Sequence, residues 1–322
     1  MSLSASIDFA VSRDNLITMA LQHIGALGDG ETPSATQLTE CSLLLNTLIK
    51  AWQTDSMQLW MTSYGYIFPI SNVAKCSLGA EGGHAASTYL HTTTSVASAS
   101  GGSTVTVVTV TGISTTNVIG IELSDGSMQW TTVNGAPAGS VVTLAATLSG
   151  AVSAGADVYV YATTAKLTRP HQIVEAFRRT SSDNTDTPLR VVSMQEYNSL
   201  GSKFEEGVVN LVAYDKVLGY STTGYPGNGD LYFWPIFPNG DNVIVIRYVK
   251  IYDDLDAAAN NPEFPQQWFL PLMLGLAWLL GPKHGLTLKE RQMLLQEATM
   301  FRDMALDADV EDAPIKFMPA RR

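Results

Sequence analysis

The residues in this chain with the types for acid–base chemistry are two groups of carboxylates, Glu205–Glu206 and Asp253–Asp254 with Asp256. Such a pair hydrolyses a glycosidic bond when burial keeps one carboxyl protonated and leaves the other ionised. Adjacent acids on a loop or at a strand end more often form a solvated face, and both groups are read that way. The aspartate group could hold a cation, but it lacks the glycine and the distal glutamate of a calcium loop. The five histidines, His23, His84, His91, His171 and His284, are scattered, and only His84 and His91 lie near each other, without metal-ligand spacing. There is no GxxxxGK[ST] phosphate loop, GxSxG elbow, HExxH or Cys/His cluster. The expectation is a protein that is not an enzyme, with no catalytic, cofactor-binding or metal residues.

Composition points the same way. The 322 residues allow two domains, and the 15% of charged residues is low against a usual value of about 25%. A net charge of −11 argues against reading DNA sequence, since affinity for the duplex comes mainly from basic side chains that displace counterions. It is compatible with a conduit along which DNA slides without sticking. Only Cys41 and Cys76 are present, which supports no disulfide framework. No secretory signal opens the chain, and the most apolar stretch, Trp268 to Leu280, is shorter than the roughly 20 residues that span a bilayer. A soluble product made in the cytoplasm is expected.

The elements that would position any site begin with a helical hairpin over Ser12 to Pro69. Ile17, Ala20, Leu21 and Ile24 follow an i, i+3, i+4, i+7 spacing. The second helix has capping oxygens at Thr32 and Ser34, the Ser34–Gln37 capping-box spacing, and a stripe through Leu38, Cys41, Leu45, Leu48, Ile49 and Trp52. The two helices should pack antiparallel, stripe to stripe, and against two C-terminal helices, Pro265 to Gly281 and Thr287 to Ala308. The first of these is apolar nearly all round, and the second opens on a Thr287–Glu290 capping box. Tyr64 to Pro69 reads as a strand.

Between Glu81 and Lys166 the only charges are Glu122, Asp125 and Asp157, and short β-type runs cover Thr104 to Val110, Val118 to Leu123, Met128 to Val133, Val141 to Leu148 and Val158 to Tyr161. Asp125–Gly126 and Asn134–Gly135 are hairpin signals between them. Residues 82–166 therefore read as an inserted β-sandwich or barrel-like domain. Within it Trp130, Tyr159 and Tyr161 are taken as packing residues, with an aromatic platform for a glycan or a protein as the alternative. Further strands are expected at Ile173 to Arg179, Val208 to Tyr214, Leu231 to Phe237 and Val243 to Tyr252, the last two as a hairpin, with a short helix starting at Ser193–Glu196. The fold class that results is α+β. A helical-bundle core is made from the N-terminal hairpin and the C-terminal helices, with an antiparallel sheet region, over 1–81 and 167–322.

The segments GALGDGETPSATQLTECSLLLNTLIKAWQTDSMQLW, YIFPI, GDLYFWPIF and DDLDAAANNPEFPQQWFLPLMLGLAWLLGPKHG, in this order, resemble the head-to-tail adaptor proteins of short-tailed bacteriophages, which complete the head and stabilise packaged DNA. The matching positions are Gly30-Glu31-Thr32-Pro33, Asn46, Trp52, Pro235, Phe264–Pro265 and Trp268. The resemblance covers roughly residues 10 to 70 and 167 to 308. It implies a structural protein of the virion's head–tail junction that assembles as a ring, a dodecamer, beneath the portal protein. Such a ring lengthens the DNA channel, receives tail nozzle, tube or fibre proteins, and passes genomic DNA without reading its sequence. No membrane is involved.

In the family the C-terminal region reaches the portal. Carried onto this chain, that makes Phe317 and Met318 apolar anchors and Arg321 and Arg322 rim charges, with a terminus that docks nowhere as the alternative. The 82–166 insert departs from the simplest family members. Two other functions compete: a cell-wall-directed enzyme or carbohydrate-binding protein, and a tail-tube or nozzle protein.

Overall fold

The computed structural model describes residues 8–54, 59–70, 73–79, 82–216, 227–237, 240 and 242–309. Among these are five α-helices: α1 (Arg13–His23), α2 (Ala35–Trp52), α3 (Met194–Asn198), α4 (Phe269–Leu280) and α5 (Leu288–Asp307). The chain forms two compact units, Met1–Met61 with Ile251–Arg322, and Thr62–Lys250.

The first unit holds α1, α2, α4 and α5. Ser12 caps α1, while Ser34 and Thr287 each close a full capping box on α2 and α5, so every one of these starts is set by local hydrogen bonding. α4 is buried at nearly every position and takes α1, α2 and α5 against its sides. The hairpin stripes, Leu16, Ile17, Ala20 and Leu21 on α1 and Cys41, Leu45, Leu48 and Ile49 on α2, are buried chiefly against α4 rather than against each other. The physical reason is that α4 offers apolar surface on all sides, and each stripe removes more of it from water there. Gly275 of α4 permits the approach of α2, since a Cβ at that position would stand 2.9 Å from Leu48 and 3.2 Å from Trp52.

The second unit contains fourteen described strands: β1 (Thr62–Ile67), β2 (Lys75–Leu78), β3 (Ala85–Ala86), β4 (Leu90–Thr93), β5 (Thr104–Thr106), β6 (Val118–Glu122), β7 (Met128–Thr132), β8 (Val141–Thr143), β9 (Asp157–Tyr161), β10 (Gln172–Thr180), β11 (Asp186–Val192), β12 (Leu211–Asp215), β13 (Gly229–Trp234) and β14 (Asn242–Val249). Eight make one sheet in the order β2-β13-β12-β11-β10-β14-β1-β3, antiparallel except at β11–β12. Its two ends, β2 and β3, adjoin in sequence, and the Gly83 amide donates to the Ser77 carbonyl at 2.7 Å across the gap. The sheet is thereby nearly closed into a barrel, and Ile67, Leu78, Leu167, Val212, Phe233, Phe237, Ile244 and Ile246 belong to one buried cluster.

This architecture corrects the expected fold class. The chain is mainly β, with a nearly closed eight-stranded sheet, further sheets and five short helices, and the helical bundle is not its core. Local periodicity marks helices strongly, while a barrel is built from pairings distant in sequence that periodicity does not reveal. The expected hairpin of Leu231–Phe237 with Val243–Tyr252 is also overturned: β13 pairs with β12 and β2, whereas β14 lies between β10 and β1. β14 is buried at six of its eight residues, a pattern that suits a central strand. β11 and β4 carry no strong strand signal, Pro188 and Thr-rich stretches masking them.

Residues 90–161 add a four-stranded sheet, β4-β9-β6-β7, and the pair β5–β8, around a cluster of their own that includes Val105, Ile119, Ile121, Val142, Val158 and Val160. The β6–β7 turn is the Asp125–Gly126 turn, with Gly126 at φ +83° and the Asp125 carboxylate accepting from the Ser127 amide at 2.9 Å.

Candidate functional site

The two carboxylate groups singled out by sequence lie in different units of the fold. Glu205 and Glu206 are exposed, and their backbone serves the fold: the Ile236 amide donates to the Glu205 carbonyl at 2.9 Å. The aspartate segment of the first unit is a tether. Asp254 pairs with Lys50 at 2.9 Å, the Asn46 side chain accepts from the Leu255 amide at 2.9 Å, and the Arg13 guanidinium donates to the Asp256 carbonyl at 2.8 Å. Among the described residues no three His, Cys, Asp or Glu side chains gather where a metal ion could be held. Cys41 and Cys76 are both buried and unpaired, and burial pushes the Cys76 thiol up to about 12. Phe317, Met318, Arg321 and Arg322 lie outside the described residues.

His84 and His91 serve separate contacts. His91 Nε2 lies 2.7 Å from Asp157 Oδ1, with its ring stacked on Tyr159. His84 belongs to an aromatic seat that joins the inserted sheets to the barrel. The alternation of β9 builds this seat: Val158 and Val160 enter the insert's own core, so Tyr159 and Tyr161 point to the other face. There Phe68, which follows β1, stacks parallel on Tyr161 at 5.4 Å and touches Tyr159 at 5.6 Å and Trp130 at 5.4 Å.

The seat's polar atoms are placed as closely as its rings. The Trp130 indole donates to the Pro69 carbonyl at 3.3 Å, and the Tyr159 hydroxyl donates to the Gly240 carbonyl at 3.0 Å and contacts Ser181. The His84 ring lies flat on Trp130 at 4.0 Å, with Nδ1 3.0 Å from the Tyr161 hydroxyl. Burial, and secondarily the nearby Lys166 charge, pushes the His84 imidazole down to about 4, so it is neutral at pH 7. Burial likewise pushes the Tyr159 and Tyr161 phenols up. Trp130, Tyr159 and Tyr161 are therefore packing residues between the insert and the barrel, with both tyrosines buried and unavailable as an open platform.

Several positions that carry the adaptor resemblance meet in the first unit. Trp52 lies 6.0 Å from Trp268 and beneath the Arg302 guanidinium at 5.4 Å. Trp268 touches Phe264 at 5.8 Å, and Phe264 stacks on Tyr252 at 4.8 Å and meets Trp60 at 5.1 Å. With Asn46 holding Leu255, this cluster joins segments roughly 200 residues apart in the chain. The sequence offered no sign of the clustering itself beyond the enrichment of aromatics in both segments. Pro235 lies elsewhere, in the second unit, against Gly207. Comparison with protein-family models and with curated proteins finds no match to this chain.

Proposed function

We propose that this chain is a structural protein of a short-tailed bacteriophage virion, forming a ring beneath the portal that extends the DNA channel and connects head to tail. The observation that carries the proposal is the convergence of Asn46, Trp52, Phe264 and Trp268, matched from separate stretches of sequence, on one tethered cluster. Residues that a resemblance picks out independently and that then build one joint are those expected to preserve a common helical unit. The acidic balance, −11 overall, suits a wall past which DNA slides, because phosphate contacts that would hold it are disfavoured. The inserted sheets, seated on the barrel by aromatic rings, are the part available for tail proteins. In the terminal segment Phe317 and Met318 act as apolar anchors for the portal, with Arg321 and Arg322 at the rim.

Electron microscopy of the purified protein mixed with the cognate portal tests this. Rings seated on the portal are the expected result. A protein that remains apart from the portal while polymerising into tubes would replace the adaptor with the tube reading. Cell-wall hydrolysis lost on replacing Glu205 and Glu206 by glutamine would replace it with the enzyme reading.

A further inference from the structure

The inserted sheets build the same joint twice. Where β4 leaves toward β5, the Ser95 amide donates to the Thr106 carbonyl at 2.8 Å, the Val108 amide to the Thr93 carbonyl at 2.9 Å and the Thr109 amide to the Thr92 hydroxyl at 3.1 Å. Where β7 leaves toward β8, the Asn134 amide donates to the Thr143 carbonyl at 2.8 Å, the Ala145 amide to the Thr132 carbonyl at 2.9 Å and the Ala146 amide to the Thr131 hydroxyl at 3.1 Å. Asn134 therefore holds the place that Ser95 holds in the other joint. Both joints are made by the backbone amide of that residue, and a serine serves in one of them. The Asn134 side chain is exposed and makes no hydrogen bond with the described residues, so the fold asks nothing of its amide group.

Three asparagines in the chain precede glycine: Asn134–Gly135, Asn228–Gly229 and Asn239–Gly240. A glycine, having no Cβ, lets its amide nitrogen reach the side-chain carbon of the residue before it, and local structure decides where that happens. Gly135 stands at φ +90° with open space around it, and its amide donates to no described carbonyl. Asn228 is half-buried, Gly229 is fixed in β13 opposite Leu78, and a Cβ there would collide with the Tyr214 hydroxyl. Asn239 lies outside the described residues, and Gly240 is buried. The aspartyl counterpart, Asp125–Gly126, is held against the same reaction. Its glycine amide donates to the Leu123 carbonyl at 2.9 Å, and hydrogen bonds from the Ser127 hydroxyl and amide keep the Asp125 carboxyl below its usual range, as an anion that resists nucleophilic attack.

We propose that Asn134 is a site of spontaneous deamidation, an ageing site in the inserted sheets. The Gly135 amide nitrogen, having given its proton to solvent base, bonds to the Asn134 side-chain carbonyl carbon. The bond from that carbon to the side-chain nitrogen breaks and ammonia leaves, closing a succinimide ring. Water then opens the ring at either carbonyl, giving aspartate or isoaspartate, each with one further carboxylate. Isoaspartate also routes the backbone through the side chain and adds a methylene to it, directly after the pairing of Val133 with Leu144. The joint between β7 and β8 is thereby loosened, while the Ser95 joint stays unchanged.

The full chain, incubated in mildly alkaline and in mildly acidic buffer, then digested and read by mass spectrometry, tests the site. The Asn134 peptide should gain the mass of amide-to-acid conversion and resolve into two isomers, one of them labelled by isoaspartyl methyltransferase. It should do so faster in the alkaline buffer, because the attacking amide must first lose its proton. The Asn228 peptide should stay intact until the protein is unfolded in urea. Asn134→Ser, which copies the other joint, should abolish the change at this position while the circular dichroism spectrum is kept. Amide exchange at Ala145 should be faster in the isoaspartyl fraction than in fresh protein. An Asn134 peptide that stays intact in the folded chain while it converts in urea, or conversion of Asn228 at an equal rate in the folded chain, overturns the site. Unchanged exchange at Ala145 overturns the loosening of the joint.

Discussion

Acidification should unseat the insert through His84, and the size of the effect follows from its environment. The ordinary histidine value is about 6.5, whereas burial beside Trp130 and Tyr161, with Lys166 nearby, pushes His84 down to about 4. Between those two pH values the unfolded chain binds a proton that the folded chain refuses, so stability rises with pH across the window. The contribution is fully present above about pH 6.5 and is lost as pH falls toward about 4. At about 1.4 kcal/mol for each tenfold the ceiling is ~3.4 kcal/mol, and partial solvent screening of the ring reduces the expected effect to about 2 kcal/mol. Urea unfolding of the wild type and of His84→Phe, which keeps a ring over Trp130 but cannot titrate, measures it as the difference between the two pH profiles. Differencing also removes His171, whose imidazole burial lowers in the same direction. An NMR titration that places the His84 midpoint near its ordinary value, or pH profiles that run parallel, would refute the reasoning.

Two further substitutions probe the joints. Trp268→Ala should cost about 3–5 kcal/mol in urea unfolding followed by helical circular dichroism, because it empties the centre of the Trp52–Trp60–Phe264 cluster. Trp268→Phe should cost clearly less, since the buried Trp268 indole nitrogen has no hydrogen-bond partner to lose, and equal costs would contradict that. Gly120 of β6 lies directly under the Trp130 ring, where a Cβ would stand 2.6 Å from its atoms. Gly120→Val should therefore displace the Trp130 indole resonance in NMR spectra while the valine methyl signals of the insert's core persist, and an unmoved indole would show that the ring is not seated as described.

Local signals in the sequence carried the helices a long way. The capping residues Ser34, Ser193 and Thr287 and the buried stripes of α1 and α2 all depend on interactions within one or two turns, so residue order alone encodes them. The same holds for the Asp125–Gly126 turn. The carboxylates and histidines could be named but not placed: only folding showed Asp254 tethered to Lys50 and His84 lying on Trp130.

Sequence by itself determined the capped starts of α2, α3 and α5 and the faces that α1 and α2 bury. Tertiary structure decided that β14 lies between β10 and β1 instead of hairpinning with β13, that β2 and β3 bring the sheet's ends together, and that α4 rather than the hairpin partner receives the stripes of α1 and α2. The difference has one physical origin. Caps, turns and amphipathic stripes are settled between neighbours along the chain, while strand order and the choice of packing partner are settled by how much apolar surface distant segments can bury together.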